Sequence, residues 1–325
     1  MSKREAIEHF LKPKAVAIVG VSQDFSSISG KPLKNLIRHN YEGDIYLVNP
    51  KYDEIADIPC YPSILDIPGK VDVAMIAVSS KRIMQILDEC EQKNIQHLIL
   101  FGSGFAEVGE EGKRLQEKVL AKAKQAGIHI LGPNCIGLLN VNDRIPLGFS
   151  TSFETDKGFL KGNIGFASQS GALGFSLFGL AQDEGIGFSY IINTGNQMDI
   201  HTLDCIEYML EDDTTDVVAG YLEGIPDGEM LIQLAIRAKQ LRKPLILLKA
   251  GRSELGKQAA LSHTASLTGS EQSFEAIAKQ YGLIVTNDID DMIDALKIFS
   301  RKKQANGNRV VTISNSGAAG IAMAD

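Results

Sequence analysis

His263 is one of six histidines, and it lies in a segment whose composition suits group transfer. KAGRSELGKQAALSHTASLTGS follows an apolar run, is rich in small and hydroxyl residues, and carries Lys249, Arg252 and Lys257 close by in sequence. Neutral imidazole is a nucleophile near neutral pH, so a histidine on a flexible loop that visits two sites can accept a phosphoryl group and pass it on. Glu223 closes the run DVVAGYLE, where an acid after mostly apolar residues calls for a reason. Holding one imidazole nitrogen, and so fixing the tautomer, is one such reason; starting a loop or capping the helix near Asp227 is another. Ser168-Gln169-Ser170-Gly171 stands between a buried strand and a helix. Hydroxyls and unpaired N–H groups there meet the positive end of the helix dipole, which makes a phosphate seat, although the same serines also suit simple N-capping.

A second group of residues suits a nucleotide. The first strand-like run ends at Gly20 and continues as GVSQDFSSISGK, a turn of small residues with Ser22 and Gln23 that lets the backbone approach phosphates. It is not GxGxxG. The second run ends in Asn49-Pro50-Lys51, where a dinucleotide enzyme usually places an acid for the ribose hydroxyl. A lysine suits a ribose phosphate instead, so coenzyme A, with its 3′-phosphate, fits better than NAD, and NADP stays open. Val78 ends the third run, and FGSGFAEVGEEG after the fourth places Gly102, Ser103, Gly104 and Phe105 at the edge where such folds bind ligands, suited to bracketing a pantetheine arm. Asn134 sits in GPNCIG at the end of the series and completes the candidate CoA-binding set.

The elements that must position these residues are legible as alternating patterns. KAVAIVG, DIYLVNP, VDVAMIAV, HLILF and IHIL are continuous rather than alternating apolar runs, which predicts strands buried on both faces of a parallel, doubly wound sheet. Amphipathic stretches such as KRIMQILDECEQKN lie between them. GPNCIGLLN and the Gly-, Pro- and Ser-containing stretch to about Lys161 break this rhythm and mark a boundary. A second α/β series follows, with strands at NIGFAS, GFSYIIN, DVVAGYLE and PLILLKA and helices opening near Ser170, His201, Asp227, Thr268 and Asp288. IGFASQSGALG is echoed by VTISNSGAAG, each a strand leading into Ser-x-Ser-Gly-Ala-x-Gly. The expected organisation is α/β throughout: a Rossmann-like CoA-binding domain over 1–140, a flavodoxin-like domain with the histidine loop over 141–305, and the start of a third α/β unit over 306–325. The echo ends inside the first helix of that unit, so a longer natural polypeptide is expected.

Bulk properties exclude several classes. With 44% hydrophobic and 22% charged residues, the 325-residue chain has the composition of globular α/β domains, and no apolar run is long enough to cross a bilayer. The start MSKREAIEHF lacks the apolar core of a secretory signal, so a cytoplasmic location is expected. Net charge is -7, with basic residues dispersed rather than gathered in a stripe, which argues against nucleic acid as a partner. Cys60, Cys90, Cys135 and Cys205 are far apart and form no CxxC pair, and the histidines form no metal-spaced pair, so no metal site or disulfide framework is expected. Cys135 has no basic neighbour in sequence and reads as a packing residue.

Together, LGPNCIGLLN, the SQSGALG turn, NTGNQMDIHTLDCIEYML, the YLEGI strand end and AGRSELGKQAALSHTASLTGS resemble the ADP-forming acyl-CoA synthetases and the α subunit of succinyl-CoA synthetase over essentially the whole chain. The resemblance implies a CoA-binding domain, a second domain in which His263 is phosphorylated with Glu223 as its partner, and SQSG as part of the phosphate site. It implies a reversible acid–thiol ligation in which a small carboxylic acid, CoA and ATP give acyl-CoA, ADP and phosphate through an acyl phosphate and phosphohistidine. ATP, ADP and magnesium belong to an ATP-grasp module, which this chain does not contain and which would be a β subunit or a further part of one longer chain; self-association stays open. The segment departs from the family pattern in reading HTASLTG, with Ala265 where a glycine is common, which narrows loop conformations without removing the histidine. Two other readings are a non-catalytic CoA-sensing module of a fused acyltransferase, disfavoured by retention of His263 and Glu223, and an NADP-dependent oxidoreductase, disfavoured by the missing GxGxxG.

Overall fold

The computed structural model describes residues 1–155, 157–251, 256, 271–301 and 307–324. The first half is built from α1 (Lys3–Leu11), β1 (Ala15–Val19), α2 (Lys31–Arg38), β2 (Asp44–Val48), β3 (Glu54–Ile55), β4 (Ile58–Tyr61), β5 (Val73–Ile76), α3 (Ile83–Gln92), β6 (His97–Leu100), α4 (Glu110–Ala126) and β7 (His129–Leu131). The strands form a seven-stranded sheet in the order β3-β4-β2-β1-β5-β6-β7, parallel except for the β3–β4 pair. All five residues of β1 and all four of β5 and β6 are buried, as the continuous apolar runs predicted. Full burial of each Val, Leu or Ile contributes about 1.5–3 kcal/mol, and helices on both faces supply the cover.

The second half contains β8 (Gly137–Asn140), β9 (Ile145–Gly148), β10 (Lys161–Ser168), α5 (Gly171–Asp183), β11 (Phe188–Asn193), α6 (Thr202–Glu211), β12 (Val217–Leu222), α7 (Gly228–Leu241), β13 (Leu245–Lys249), α8 (Glu271–Tyr281), β14 (Ile284–Thr286) and α9 (Ile289–Phe299). Among the described residues its sheet is also seven-stranded, in the order β14-β13-β12-β10-β11-β8-β9. Its parallel part runs β11-β10-β12-β13-β14, the flavodoxin order, and β8 joins antiparallel to β11. Helices begin where the sequence places caps: Ser170 accepts from the Leu173 N–H, Asp227 from Met230 and Asp288 from Asp291. Each such cap is worth about 0.5–2 kcal/mol.

Three features differ from the sequence reading. The stretch after GPNCIG is not only a connection, because β8 and β9 form a hairpin that extends the second sheet. The charged N-terminus is a helix with a capping box at Ser2 and Glu5, and it buries Ala6, Ile7, Phe10 and Leu11 along one stripe. Residues 311–313, expected as a strand leading into Ser314, run without strand pairing and stay exposed ahead of α10 (Gly317–Ala324). A strand exists by its ladder, and no second strand of that unit lies among the described residues.

The two sheets meet along β7. Residues 196–200, after β11, lie against its edge: the N–H groups of Asn196, Met198 and Ile200 donate to the carbonyls of Pro133, Gly132 and Ile130 at 2.9, 2.9 and 3.2 Å. The carboxylate of Asp199 accepts from the Ile130 N–H at 3.0 Å and pairs with His129 at 3.0 Å. An edge that would otherwise be open is thereby covered by the second domain. No helix among the described residues is long and apolar enough to cross a membrane.

Candidate functional site

Both sheets place their candidate residues at the same topological position. In the first, strand order reverses between β1 and β5, so a crevice opens beyond their carboxyl ends. A cleft of about 300 Å³ lies there, lined among others by Gly20 after β1, Pro50 and Lys51 after β2, Val78 after β5, and Ser79 and Arg82. Gly20 has a φ of +86°, and a Cβ on it would stand 2.6 Å from Val78 Cγ1 and 2.8 Å from the Ala77 carbonyl, so only glycine lets the turn close over the cleft. Four of the predicted CoA-binding residues, Gly20, Pro50, Lys51 and Val78, thus come together on one cleft. Ser22, Gln23, Gly102, Ser103, Gly104, Phe105 and Asn134 do not line it. Arg82, a second cation lining this cleft, stands at the start of the stretch KRIMQILDECEQKN, which reads only as an amphipathic helix, so nothing in the sequence marks it as a ligand residue.

The loop after β6 is shaped from within. Gly104 has a φ of +101°, and the Glu107 carboxylate accepts the N–H groups of Gly104 and Phe105 at 2.5 and 3.1 Å. Gly102 and Gly104 are half-buried and Ser103 is exposed, whereas the ring of Phe105 is packed into the first-domain core. The surface this loop offers to a ligand is therefore backbone and Ser103, with Phe105 as its anchor. Asn134 is exposed, and its side-chain amide donates to the Asn196 carbonyl oxygen at 3.3 Å.

In the second sheet the order reverses between β10 and β12, and these strands end at Ser168 and Leu222. The turn Ser168–Gly171 therefore stands beside Glu223. Gln169 joins the two: its Oε1 accepts the N–H groups of Glu223 and, at 3.0 Å, Gly224, and its Nε2 donates to the Gly224 carbonyl at 2.8 Å. Its own N–H donates to the Tyr221 carbonyl at 3.2 Å. Gln169 was expected to bind phosphate, but its side chain is committed to holding the end of β12. Ser168 is likewise committed, buried and donating its hydroxyl to the Ser170 carbonyl at 2.6 Å. The first-turn N–H groups of α5 at Gly171 and Ala172 have no intrahelical acceptor, so they and the hydrogen of the Ser170 hydroxyl, whose oxygen accepts from Leu173, are the donors the turn can offer a ligand.

Asn193 ends β11 and supports this turn from below. Its Nδ2 donates to the Ser168 and Gln169 carbonyls at 2.9 and 3.1 Å, while its Oδ1 accepts the Ile136 N–H at 2.7 Å. A Cβ on Gly171 would stand 2.6 Å from Ile136 and 2.8 Å from Asn193 Oδ1, so the glycine of SQSG lets the helix start seat against both. Asn193 ends GFSYIIN and opens NTGNQMD, and its one sequence signal is a polar residue closing an otherwise apolar run.

Glu223 is buried, as is Tyr221 two residues earlier on the same strand face. Burial, and then the Glu223 carboxylate, pushes the Tyr221 phenol up to about 12, so it stays protonated at neutral pH. Lys249 is buried at the carboxyl end of β13, in register with Leu222. Cys135 is buried in the first core, with its thiol pushed up to about 12 by burial, which agrees with a packing role. His263, Arg252 and Lys257 lie outside the described residues. Among the described residues no three His, Cys, Asp or Glu side chains group so as to hold a metal ion.

Comparison with known proteins gives this geometry a family. Residues 14–140 match the CoA binding domain, and residues 161–299 match the succinyl-CoA ligase like flavodoxin domain. The chain is 38% identical over 98% of its length to the α subunit of ADP-forming acetate–CoA ligase II from Pyrococcus furiosus, and spans 68% of that subunit. It is 39% identical over 94% of its length to ADP-forming acetate–CoA ligase II from Archaeoglobus fulgidus, but spans only 45% of that protein. Its fold superposes with a TM-score of 0.89, at 38% identity, on the dinucleotide-forming acetyl-coenzyme A synthetase 1 of Ca. Korarchaeum cryptofilum solved with phosphate and ADP, covering 97% of this chain and 67% of that one. The chain belongs to the ADP-forming acyl-CoA synthetase family, of which it spans the CoA-binding domain and the succinyl-CoA ligase-like flavodoxin domain.

Proposed function

We propose that this chain is the CoA-binding and phosphohistidine-bearing part of an ADP-forming acyl-CoA synthetase, acting on a small carboxylic acid with CoA and phosphate. The observation that supports this most directly is the clamp by which Gln169 holds the end of β12, and with it Glu223, against the Ser168–Gly171 turn. In the direction of ATP formation, a phosphate oxygen attacks the acyl-CoA carbonyl and the CoA thiolate leaves, giving an acyl phosphate. An imidazole nitrogen of His263 then attacks phosphorus and the carboxylate leaves. The outward N–H groups of α5 stabilise charge on the transferring phosphoryl oxygens with dipoles that need no reorganisation. Glu223 accepts a hydrogen bond from the N–H of the other imidazole nitrogen and so keeps the attacking one unprotonated. Gly20, Ser22, Gln23, Pro50, Lys51, Val78, Gly102, Ser103, Gly104, Phe105 and Asn134 form the CoA site, with Lys51 on the ribose phosphate.

Transfer from phosphohistidine to ADP, with its magnesium, is assigned to an ATP-grasp partner, either a β subunit or part of a longer chain. A cytoplasmic location suits these substrates. Expected organisation into units over 1–140, 141–305 and 306–325 is part of the same reading. Labelled acetyl phosphate tests it: the wild-type chain acquires acid-labile, base-stable label, and His263→Ala does not. Label persisting in that variant removes His263 from the mechanism.

A further inference from the structure

We infer that Asn196, contributed by the second domain, is the positioning residue that sets the shape of the first domain's loop Gly102–Phe105, acting through Glu107. This rests on the reading of that loop as part of the CoA site. A carboxylate can only accept, so the donors around Glu107 are fixed by chemistry. One oxygen takes the N–H groups of Gly104 and Phe105, and the other takes the Asn196 side-chain amide. Burial pushes Glu107 up, but the Asn196 amide and the backbone N–H groups outweigh it and hold the acid below its usual range. The group is thus an anion at neutral pH, and bonds to an anion are about twice as strong as neutral ones.

Asn196 is itself held on three sides. Its N–H donates to the Pro133 carbonyl at 2.9 Å, its Oδ1 accepts from Asn134 at 3.3 Å, and its Nδ2 also reaches Gln116 Oε1 at 3.3 Å. Gln116 Oε1 in turn accepts the Ala106 N–H at 3.3 Å. The loop needs such a tie, because Gly104 sits in left-handed φ with the position of a Cβ only 2.8 Å from Ser80 Oγ, a conformation without regular partners of its own. Three residues earlier on the same segment, Asn193 supports the phosphate turn. One short stretch of the second domain therefore shapes both ligand edges, and the first domain's CoA loop is complete only when the second is docked.

Reversing the polarity of one bond tests this. Asn196→Asp sets two carboxylates face to face. Combining it with Glu107→Gln restores a donor and an acceptor, while the new amide oxygen still accepts from Gly104 and Phe105. CoA binding to the full chain, measured by calorimetry at pH 8, is expected to weaken about tenfold in Asn196→Asp and to return to within about threefold of wild type in the double variant. Wild-type affinity in Asn196→Asp overturns the inference, and so does a folded double variant that binds no better than the single one. A wild-type chain that binds no CoA would instead remove the CoA reading itself.

Discussion

The two turns that follow β1 and β10, the first of the five parallel strands in each sheet, occupy equivalent places and are built in opposite ways. Both sheets use the same order of five parallel strands, and both present their turn where the first and third of those strands end. After β1 the chain takes eleven residues, from Gly20 to Gly30, before α2, and Gly30 caps that helix with no side-chain bond. After β10 the helix starts within three residues, and Ser168, Gln169 and Ser170 spend their side chains on the protein itself. The long turn leaves a cleft walled by the residues that follow β2 and β5 and by side chains of α3, the right form for an extended ligand. The short one leaves only main-chain N–H groups and a hydroxyl on a rigid seat, the right form for a small anion whose charge moves during reaction. Position in the fold decides where a ligand goes, and the length and self-satisfaction of the turn decide what size it is.

The contrast breaks most severely at Gln169. Replacing it with Ala strips partners from the Glu223 and Gly224 N–H groups and the Gly224 carbonyl, all in a buried setting. Leaving such groups unpaired costs about 1–3 kcal/mol each, so denaturant unfolding should show a loss of about 2–4 kcal/mol after partial relaxation. Phosphorylation by acetyl phosphate should fall by about a hundredfold, whereas CoA affinity should stay within about twofold, because the cleft belongs to the other sheet. Equal loss of both functions would show that the two turns are not the separate devices described above.

A smaller effect sharpens the other side of the comparison. Lys51 is exposed on the rim of the first cleft, so Lys51→Ala should leave stability unchanged. Its affinity for CoA should drop by about tenfold, the scale of one charge-assisted bond to phosphate. Dephospho-CoA, which lacks the ribose phosphate, should bind wild type and variant alike. An equal drop for both ligands would place Lys51 somewhere other than on that phosphate.

What was legible follows from how local the cause is. Continuous apolar runs announced β1, β5 and β6, since burial on both faces leaves its mark residue by residue, and they also announced β2 and β7, although β2 is buried only at Leu47 and Val48 and β7 only at Ile130 and Leu131. Caps at Ser170, Asp227 and Asp288 were equally local. The β8–β9 hairpin was hidden because GLLN and IPLG are short and contain Gly or Pro, and they become strands only by pairing with each other and with β11. For Gln169, the sequence shows an amide between serines, which suits an anion; that it turns instead to the backbone at 223–224 depends on a strand 54 residues away. Asn196 was hidden for the same reason, since its partners at Glu107 and Asn134 come from the other domain. Helix α1 is the exception, because Ala6, Ile7, Phe10 and Leu11 carry the helical spacing openly, within residues that also carry the charges of the N-terminus.

The mildest effect concerns helix α1, which packs against elements of both sheets. His97 on β6 lies under α1, stacked on His9 at 4.7 Å and edge-on to Phe10 at 5.4 Å, and α1 also packs against α6 of the second domain. Its Nδ1 meets the Asp72 carbonyl at 3.0 Å, and its Nε2 has no hydrogen-bond partner among the described residues. Around it stand His9 from α1, Asp72 before β5, and His129 on β7, which is itself paired with Asp199. Burial, reinforced by His9 and His129, lowers the His97 imidazole from 6.5 to about 4. Below 6.5 the unfolded chain takes up a proton that the folded chain refuses until about 4, so stability is complete above 6.5 and falls as pH drops toward 4. Aspartates such as Asp199, held below their usual range, add their own loss at still lower pH. His97→Gln, which keeps a donor for the Asp72 carbonyl and cannot titrate, should therefore narrow the gap between melting temperatures at pH 7 and pH 5, by about 2–4 °C for each kcal/mol that the buried imidazole withholds. An unchanged gap would mean that the buried ring at 97 does not carry the acid sensitivity of the α1 contact.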